Sequence, residues 1–574
     1  MENSTLENQI YKCREIRKTL NHKDKNLITY LENLQKVLNI FGYKKLRENQ
    51  EAAVYHLLKG DDLLFVTPTA GGKSMCYIAP ALSMGLKTIV FSPLVSLIQD
   101  QSEKLKEKGL KVGVISSAVT AREKKLSLAL WENDELDFLF VAPERLGNKD
   151  FIEVMRKKPP EFIVVDEIHC AYEHSDTFRP SYKAIAPFVE EMKPKLFLGL
   201  TATMSKEIEG AIRQVFKLED TTKIVKAYNR KNLVYSSFKP TTCDSLDLDL
   251  LHIINQAPHV PTIVYFSTVA LVEQTYKKLA RVITGGCMAY TGKMTASSRE
   301  SNQNNFIKGN IRVAFATNSF GMGVDKPDIG RVIFRTLPGT IEELTQGFGR
   351  GGRNGCNCEC ILMGDIASIE TQEFFNKMQF PSPGSIKQFF NTLKMLRNSE
   401  GHITQSLSSI CNTAGIDSIY SSAIINILKG YKVIDREEKT TIGQVRFLDT
   451  PDENDSSLKK YKEYYDKISF LGLENKSYLD IDILYLAEEL GVGIETVKKN
   501  LKAFDELGLI EYIPPYSTPP LKLIGDISLV DFDTLEIRKQ EKNKKLNEVL
   551  KYYKLDDSKK SEFLFNYFNS QNNG

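Results

Sequence analysis

The octapeptide TPTAGGKS at 67–74 lies between an apolar run, DLLFV at 62–66, and a helix-like stretch from Met75 to Met84. A strand that enters a loop of small residues, closes on Lys-Ser and continues as a helix builds a phosphate cradle. N–H groups of the loop and helix start point at the anion, Lys73 reaches the outer phosphates as a point charge, and the Ser74 hydroxyl can hold Mg²⁺. The fit to G-x-x-x-x-G-K-[ST] is incomplete, because Thr67 stands where the first Gly belongs. A glycine turn that only caps a helix satisfies the same residues, so the loop needs support from elsewhere in the chain.

EFIVVDEIHC at 161–170 supplies it, with an Asp-Glu pair at the end of a second apolar run. In a parallel α/β sheet ligands sit at the carboxyl ends of strands, so Asp166 and Glu167 open onto the crevice that holds the phosphate loop. Asp166 can bind Mg²⁺ directly or through water, and Glu167 can orient and deprotonate an attacking water. A solvated acidic turn is the bland reading of such a pair, and the company of Lys73 and Ser74 argues against it.

The 574 residues suffice for about three to five domains, each with its own core. A formal charge of +3 confines any nucleic-acid surface to a local patch. No apolar stretch is long enough to span a membrane and the polar start is no signal peptide, so the expected location is cytoplasmic. Nine scattered cysteines read as free thiols; Cys356, Cys358 and Cys360 lack zinc-knuckle spacing and lead into a strand, which favours a structural role.

Taken in order, residues 1–40 form a helical lead-in, with Leu27, Ile28, Leu31, Leu34, Val37 and Leu38 at helical spacing. In FGYKKLRENQ at 41–50, Gln50 can read an adenine edge and Arg47 can stack on the ring, although an Arg and a Gln on a helix are commonly surface residues. From residue 63 to about 218, the runs TIVFSPL, VGVIS, FLFVAP, FIVVDE and LFLGLTAT alternate with amphipathic stretches, the pattern of a parallel sheet covered on both faces. Their polar turns, at Ser92, at 142–145 and at 201–203, should share one edge with the acidic pair. A second α/β block over 223–370 has TIVYFS, CMAYTG, VAFATN and VIFRTL as strands and no phosphate loop of its own. It ends in QGFGRGGR at 346–353, where Arg350 and Arg353 suit γ-phosphate contact from a neighbouring lobe.

The ordered set LRENQ, TPTAGGKS, SPLVSLIQDQ, VAPERL, DEIHC, LTAT, ATNSFGMGVDKPD and QGFGRGGRNG resembles superfamily 2 helicases and, within them, the RecQ family, over roughly residues 41–368. AYNRKNLVYSSF at 227–238 adds to the likeness. The resemblance implies two tandem RecA-like lobes, 41–222 and 223–370, closing on ATP, with single-stranded DNA tracking across both and 3′ to 5′ translocation that unwinds duplex. It assigns Arg47 and Gln50 to adenine, and Thr69, Ala70, Gly71, Gly72, Lys73 and Ser74 to the phosphates, with Asp325 also in the nucleotide set. Ser74 and Asp166 fall to Mg²⁺, Glu167 to the attacking water, Arg350 and Arg353 to the γ-phosphate, and Gln346 to the catalytic set. Ser92, Arg145, His169, Tyr172, Phe178, Arg179, Thr201, Thr203 and Thr317 fall to the DNA track and its coupling to hydrolysis.

The sequence departs from the family in several places. The loop after DEIHC has His174 where the family has a Trp, which shifts base stacking toward Tyr172 and Phe178. Gly347 replaces an expected Glu and Gly351 an expected Ala, while both arginines remain. Beyond 370 the α/β pattern stops. Residues 371–450 and 451–525 each read as helix, turn, helix and two-stranded wing: two winged-helix domains that contact DNA or serve as packing and protein-contact modules. Residues 526–574 form a charged helical hairpin similar to the one that carries four zinc-binding cysteines in RecQ proteins. Lys559 stands at the first cysteine position and the chain ends before the other three, so no zinc is expected. Leu546, Val549, Leu550, Tyr553, Phe563, Leu564 and Phe568 offer an apolar seam that would dock on the second lobe, leaving a Lys-rich face for phosphates or for solvent. Two functions fit: an ATP-driven helicase on single-stranded and forked DNA, or a DNA- or partner-binding remodeller whose ATPase cycle separates no strands. RNA as the track is a weaker alternative.

Overall fold

The computed structural model describes residues 22–67, 72–93, 95–172, 180–202, 204, 206–218, 221–225, 230–239, 245–317, 320, 326–398, 401–436, 442–448, 479–490, 492–514 and 520–573. Their contacts separate two units, Met1–Glu373 with Glu541–Gly574, and Phe374–Gln540.

In the first unit, β1 (Leu63–Val66), β2 (Thr88–Phe91), β3 (Val112–Ile115), β4 (Phe138–Val141), β5 (Phe162–Val165), β6 (Leu196–Thr201) and β7 (Thr222–Val225) form a seven-stranded sheet ordered β3-β4-β2-β5-β6-β1-β7. Every pairing in it is parallel. The strands are apolar throughout because both faces are covered: Leu63 and Phe65 enter one core while Leu64 and Val66 enter the other. The expected lead-in is a helix, His22–Ile40, whose Leu31, Leu34 and Leu38 complete the first of these cores. It therefore belongs to the lobe; residues 1–21 lie outside the described residues. The expected lobe boundary at 222/223 also moves, since β7 pairs with β1. Its Lys223, which breaks the apolar run, is neutralised by Glu209.

The second lobe contains β8 (Leu233–Phe238), β9 (Thr262–Tyr265), β10 (Cys287–Tyr290), β11 (Val313–Ala316), β12 (Arg331–Phe334) and β13 (Cys358–Met363). They form a parallel sheet ordered β10-β11-β9-β12-β13-β8. Sequence reading missed β8, where an exposed Val234 and two serines blur the apolar signal. Cys358 and Cys360 are buried in the core of this lobe. The chain returns to this unit at Glu541, where the helix Phe532–Lys554 is followed by the helix Asp557–Asn573. Val549, Tyr552, Leu564 and Phe568 share one core with Leu233, Val332 and Phe348, so the seam docks on the second lobe. Polar contacts fix its register. The Tyr553 hydroxyl lies 3.1 Å from Phe238 O and 3.0 Å from Gly364 O, and the Ser237 N–H donates to Asp557 Oδ1 at 3.0 Å. Lys560, fully buried, donates to Tyr552 O and Leu555 O, both at 2.8 Å, which satisfies carbonyls at the helix end.

The second unit follows the expected helices but not the expected strand pairing. The helices Pro383–Leu396, Leu407–Ala414 and Ser421–Gly430 pack on β14 (His402–Ile403), β15 (Ile434–Arg436) and β19 (Leu521–Leu523). The helices Ile483–Leu490 and Ile494–Glu506 pack on β16 (Ile442–Phe447), β17 (Leu479–Asp482) and β18 (Ile510–Ile513). The sheets are ordered β14-β19-β15 and β17-β16-β18. Thus β15 and β16 do not form one wing, nor do β18 and β19. In chain order β16, β17 and β18 fall between β15 and β19, so the division at 450/451 is not the one the strands make. Residues 451–478, at the start of the expected second module, lie outside the described residues.

Leu564 is fully buried in the shared core of hairpin and second lobe. Leu564→Ala should lower unfolding free energy by about 2–5 kcal/mol in denaturant titrations, with exposed Glu562→Ala near neutral as a control.

Candidate nucleotide site

Parallel register aligns the carboxyl ends of the central strands of the first lobe. Val66 pairs with Thr201, Phe91 with Val165, and Phe91 with Val141. Thr67, Ser92, Ala142, Asp166 and Thr201 therefore occupy one edge, as the polar turns in the sequence predict. The helix Lys73–Met84 starts there behind Gly72, which adopts a left-handed conformation with φ +75°. A Cβ on Gly72 would overlap Gln50 Nε2, so the position requires glycine for space as well as for φ. Gln50, buried, donates from Nε2 to Gly72 O at 2.9 Å and accepts the Arg47 N–H on Oε1 at 2.8 Å. The amide's second N–H and second lone pair can serve a ligand edge. The exposed Arg47 has its guanidinium close to Gly72.

Lys73 Nζ lies 3.2 Å from Glu167 Oε1, with both side chains mostly buried. Burial pushes the Glu167 carboxyl up, but Lys73, His169 and Arg350 together hold it below the usual carboxylate range. Asp166 goes the other way: burial and then the Glu167 charge push it up to about 7, against Lys73 and the Glu167 N–H, which donates to Asp166 Oδ1 at 3.0 Å. The two adjacent carboxyls are thus shifted in opposite directions, which gives them different protonation states near neutral pH. Glu167 is left-handed (φ 51°), an unusual backbone state for a residue with a side chain. The Tyr182 hydroxyl anchors this turn by donating to Asp166 O at 2.8 Å. His169 Nδ1 lies 2.9 Å from Thr201 Oγ1 and 3.4 Å from Glu167 Oε2; burial holds its pKa below the ordinary value, so the ring is neutral at pH 7. Thr201 O in turn accepts the Thr67 N–H at 3.0 Å, which closes a path from the phosphate loop to the acidic turn.

The second lobe contributes charge to the same place. Two residues beyond the helix Ile341–Phe348 lies buried Arg350, whose guanidinium acts on both Glu167 and Tyr265, while Arg353 also acts on Tyr265. Glu342, from the start of that helix, and Lys545, from the hairpin, act on His169. The two departures in the arginine motif have a steric reason. A Cβ on Gly347 would meet Phe334 ring carbons at 2.5 and 2.6 Å, and one on Gly351 would overlap the Cys358 thiol.

The structure thus brings together Gln50, Gly72, Lys73, Asp166, Glu167, His169, Thr201 and Arg350. Ser74 lies beside Tyr77, Ser92 is buried at its strand end, Arg145 follows β4, and Tyr172 ends the turn after His169. Thr317 follows β11, and Gln346 is exposed on the helix before Arg350. Thr69, Ala70, Gly71, His174, Phe178, Arg179, Thr203 and Asp325 lie outside the described residues. Sequence reading missed Tyr182 and Glu342, whose roles depend on contacts no local pattern announces. Ser74 and Asp166 offer hard oxygen donors beside a carboxylate, a set that fits Mg²⁺.

Residues 47–211 match the DEAD/DEAH box helicase family and residues 246–355 the helicase conserved C-terminal domain. The chain is similar to the ATP-dependent DNA helicase RecQ of Bacillus subtilis (strain 168), 31% identical over 337 residues covering 58% of this chain and 56% of that protein. It is also similar to the ATP-dependent DNA helicase Q-like 5 of Arabidopsis thaliana, 34% identical over 340 residues covering 58% of this chain and 37% of that protein. The matched stretch spans about half or less of these relatives. A solved helicase Lhr of Mycobacterium smegmatis, bound to single-stranded DNA and AMP-PNP, shares the fold with TM-score 0.50 and 17% identity, covering 68% of this chain and 55% of that one.

Without nucleotide or Mg²⁺, burial and the Glu167 charge push the Asp166 carboxyl from its ordinary 3.8 up to about 7. A raised carboxyl favours folding while protonated, so its contribution is lost as pH rises from about 4 to 7. Asp166→Asn should accordingly raise the melting temperature at pH 8 and leave it nearly unchanged at pH 4. An equal gain at both pH values would remove the charge explanation.

Proposed function

We propose that the chain, similar over residues 47–211 and 246–355 to helicase families and over 58% of its length to RecQ-type relatives, is a RecQ-like, ATP-driven DNA helicase. In this reading it moves 3′ to 5′ on single-stranded DNA, opens forked duplex, and serves repair, recombination or defence in the cytoplasm. No described helix is long and apolar enough to cross a membrane. The observation that carries the proposal is the convergence of Lys73, Asp166, Glu167 and His169 with the second-lobe Arg350 in one field.

The chemistry follows from that geometry. ATP phosphates compete with Glu167 for the Lys73 ammonium. Glu167, ionised at neutral pH, then takes the proton of the attacking water. Asp166 and Ser74 would hold Mg²⁺, which when bound would supply charge neutralisation to the phosphates. Arg350 and Arg353, on the other lobe, stabilise charge on the transferring group only when the lobes close, which ties hydrolysis to lobe motion. Neutral His169, between Glu167 and Thr201, links the water-activating carboxylate to the 201–203 turn on the DNA side. Arg47 and Gln50 take the adenine. Ser92, Arg145, Tyr172 and Thr317 take the strand, and the winged-helix-like modules of the second unit meet the fork or a protein partner.

Strand displacement on 3′-tailed, 5′-tailed and blunt duplexes of DNA and RNA tests this reading. Release from 3′-tailed DNA is expected, and Lys73→Ala should abolish it together with ATP turnover while DNA binding persists. DNA-stimulated hydrolysis without strand release would favour the remodeller, and release from RNA duplexes alone would change the track.

The hairpin is proposed to work without zinc. Its helices hold no Cys or His, and its position is set by the Val549, Tyr552, Leu564 and Phe568 seam with buried Lys560 at the helix end. Elemental analysis should find less than stoichiometric zinc, with unwinding unchanged after strong chelation and restored Mg²⁺. Stoichiometric zinc whose removal destroys activity would overturn this.

A further inference from the structure

The loop that carries Arg350 and Arg353 contains Gly349, Gly351, Gly352 and Gly355. A backbone this rich in glycine loses much conformational freedom on ordering and offers few side chains to fix two guanidinium groups. The side chains that fix it come from the far end of the lobe, just before β8. Arg230 Nη2 donates to Gly351 O at 2.8 Å and to Gly352 O at 3.2 Å. Asn232 Nδ2 donates to Gly352 O and to Cys356 O, both at 2.8 Å. Asn232 O also accepts the Cys358 N–H at 2.9 Å, which sets where the loop joins β13. Gly352, at φ +58°, approaches so closely that a Cβ there would overlap Asn232 Nδ2. Arg230 Nε lies 3.4 Å from Asn232 Oδ1, so the two side chains act as one unit.

We propose that Arg230 and Asn232 are positioning residues for the arginine pair: they clamp three carbonyls of the 350–356 loop and so aim Arg350 and Arg353 at the nucleotide. The proposal rests on the reading of those arginines as transition-state groups. The clamp bonds loop carbonyls, and no bond it makes reaches Lys73, Asp166 or Glu167. Loss of the clamp therefore misaims groups that act during hydrolysis and leaves ATP binding in place. Its place in the chain adds a consequence. Arg230 opens the second lobe after β7 has closed the first sheet, so the arginine loop is tied to the segment by which the chain passes between lobes.

Steady-state ATPase in saturating DNA tests the clamp. Arg230→Ala and Asn232→Ala should each lower kcat by about 10-fold or more with ATP KM changed by less than about twofold. Arg230→Lys, which keeps a charge and loses the forked donor, should recover part of the loss. In an Arg353→Lys background, Arg230→Ala should cost less than about threefold further, because a misaimed arginine and a weakened one lose the same interaction. Unchanged kcat in both alanine variants, a parallel rise in KM, or full multiplication of the losses in the Arg353→Lys background would overturn the clamp. Should Arg230→Ala fail to fold, Asn232→Ala and Arg230→Lys give the same comparison. An Arg353→Lys enzyme with full turnover would remove the arginine reading itself, and the clamp with it; loss in Arg353→Lys but not in the clamp variants would remove the clamp alone.

Discussion

The contact between Lys73 and Glu167 depends on strand register more than on either residue. Lys73 follows β1 and Glu167 follows β5, and these strands are not neighbours; β6 lies between them and pairs with both. Only because Leu63 to Val66 run level with Leu198 to Thr201, and Phe162 to Val165 with Leu196 to Gly199, do the two strand ends come out together. A slip of one residue in either pairing would turn every core side chain of a strand to the opposite face, so the two cores hold the register and the register holds the site. Thr201 sits in the middle strand, and its carbonyl and hydroxyl reach the phosphate-loop side and His169 respectively.

How far this was legible in the sequence follows from what each feature depends on. Parallel strands covered on both faces leave a continuous apolar run, so β1, β2, β4, β5 and β6 could be read directly, and the polar residues ending them could be placed on one edge. The loop chemistry of 67–74 and the acidic pair could be read because local order fixes them. Strand partnership could not. Periodicity says that β16 and β19 are strands but not that β16 pairs with β17 and β18 while β19 returns to β14 and β15. The edge strands β7 and β8 failed for another reason: a lysine in one and exposed or polar positions in the other leave too weak a pattern. Tyr182, Glu342, Arg230 and Asn232 act through tertiary contacts, and their residue types alone carry no signal.

Glu167 also shows why the arrangement suits an exchange of partners better than a fixed base. Burial alone would push its carboxyl up, and at neutral pH the ionised form persists because the Lys73 and Arg350 cations oppose that push. These are the cations that a polyphosphate attracts most strongly. As an anion draws Lys73 and Arg350 to itself, Glu167 keeps its buried position and loses much of the positive field that held its proton affinity down. Its basicity therefore rises as the phosphate arrives. His169, neutral in its buried setting, still offers Nδ1 between Glu167 Oε2 and Thr201 Oγ1 and preserves the orientation of the carboxylate during that exchange. In the proposed mechanism, base strength then follows the positions of the phosphates and of Arg350, which links the proton transfer to the state of the cleft.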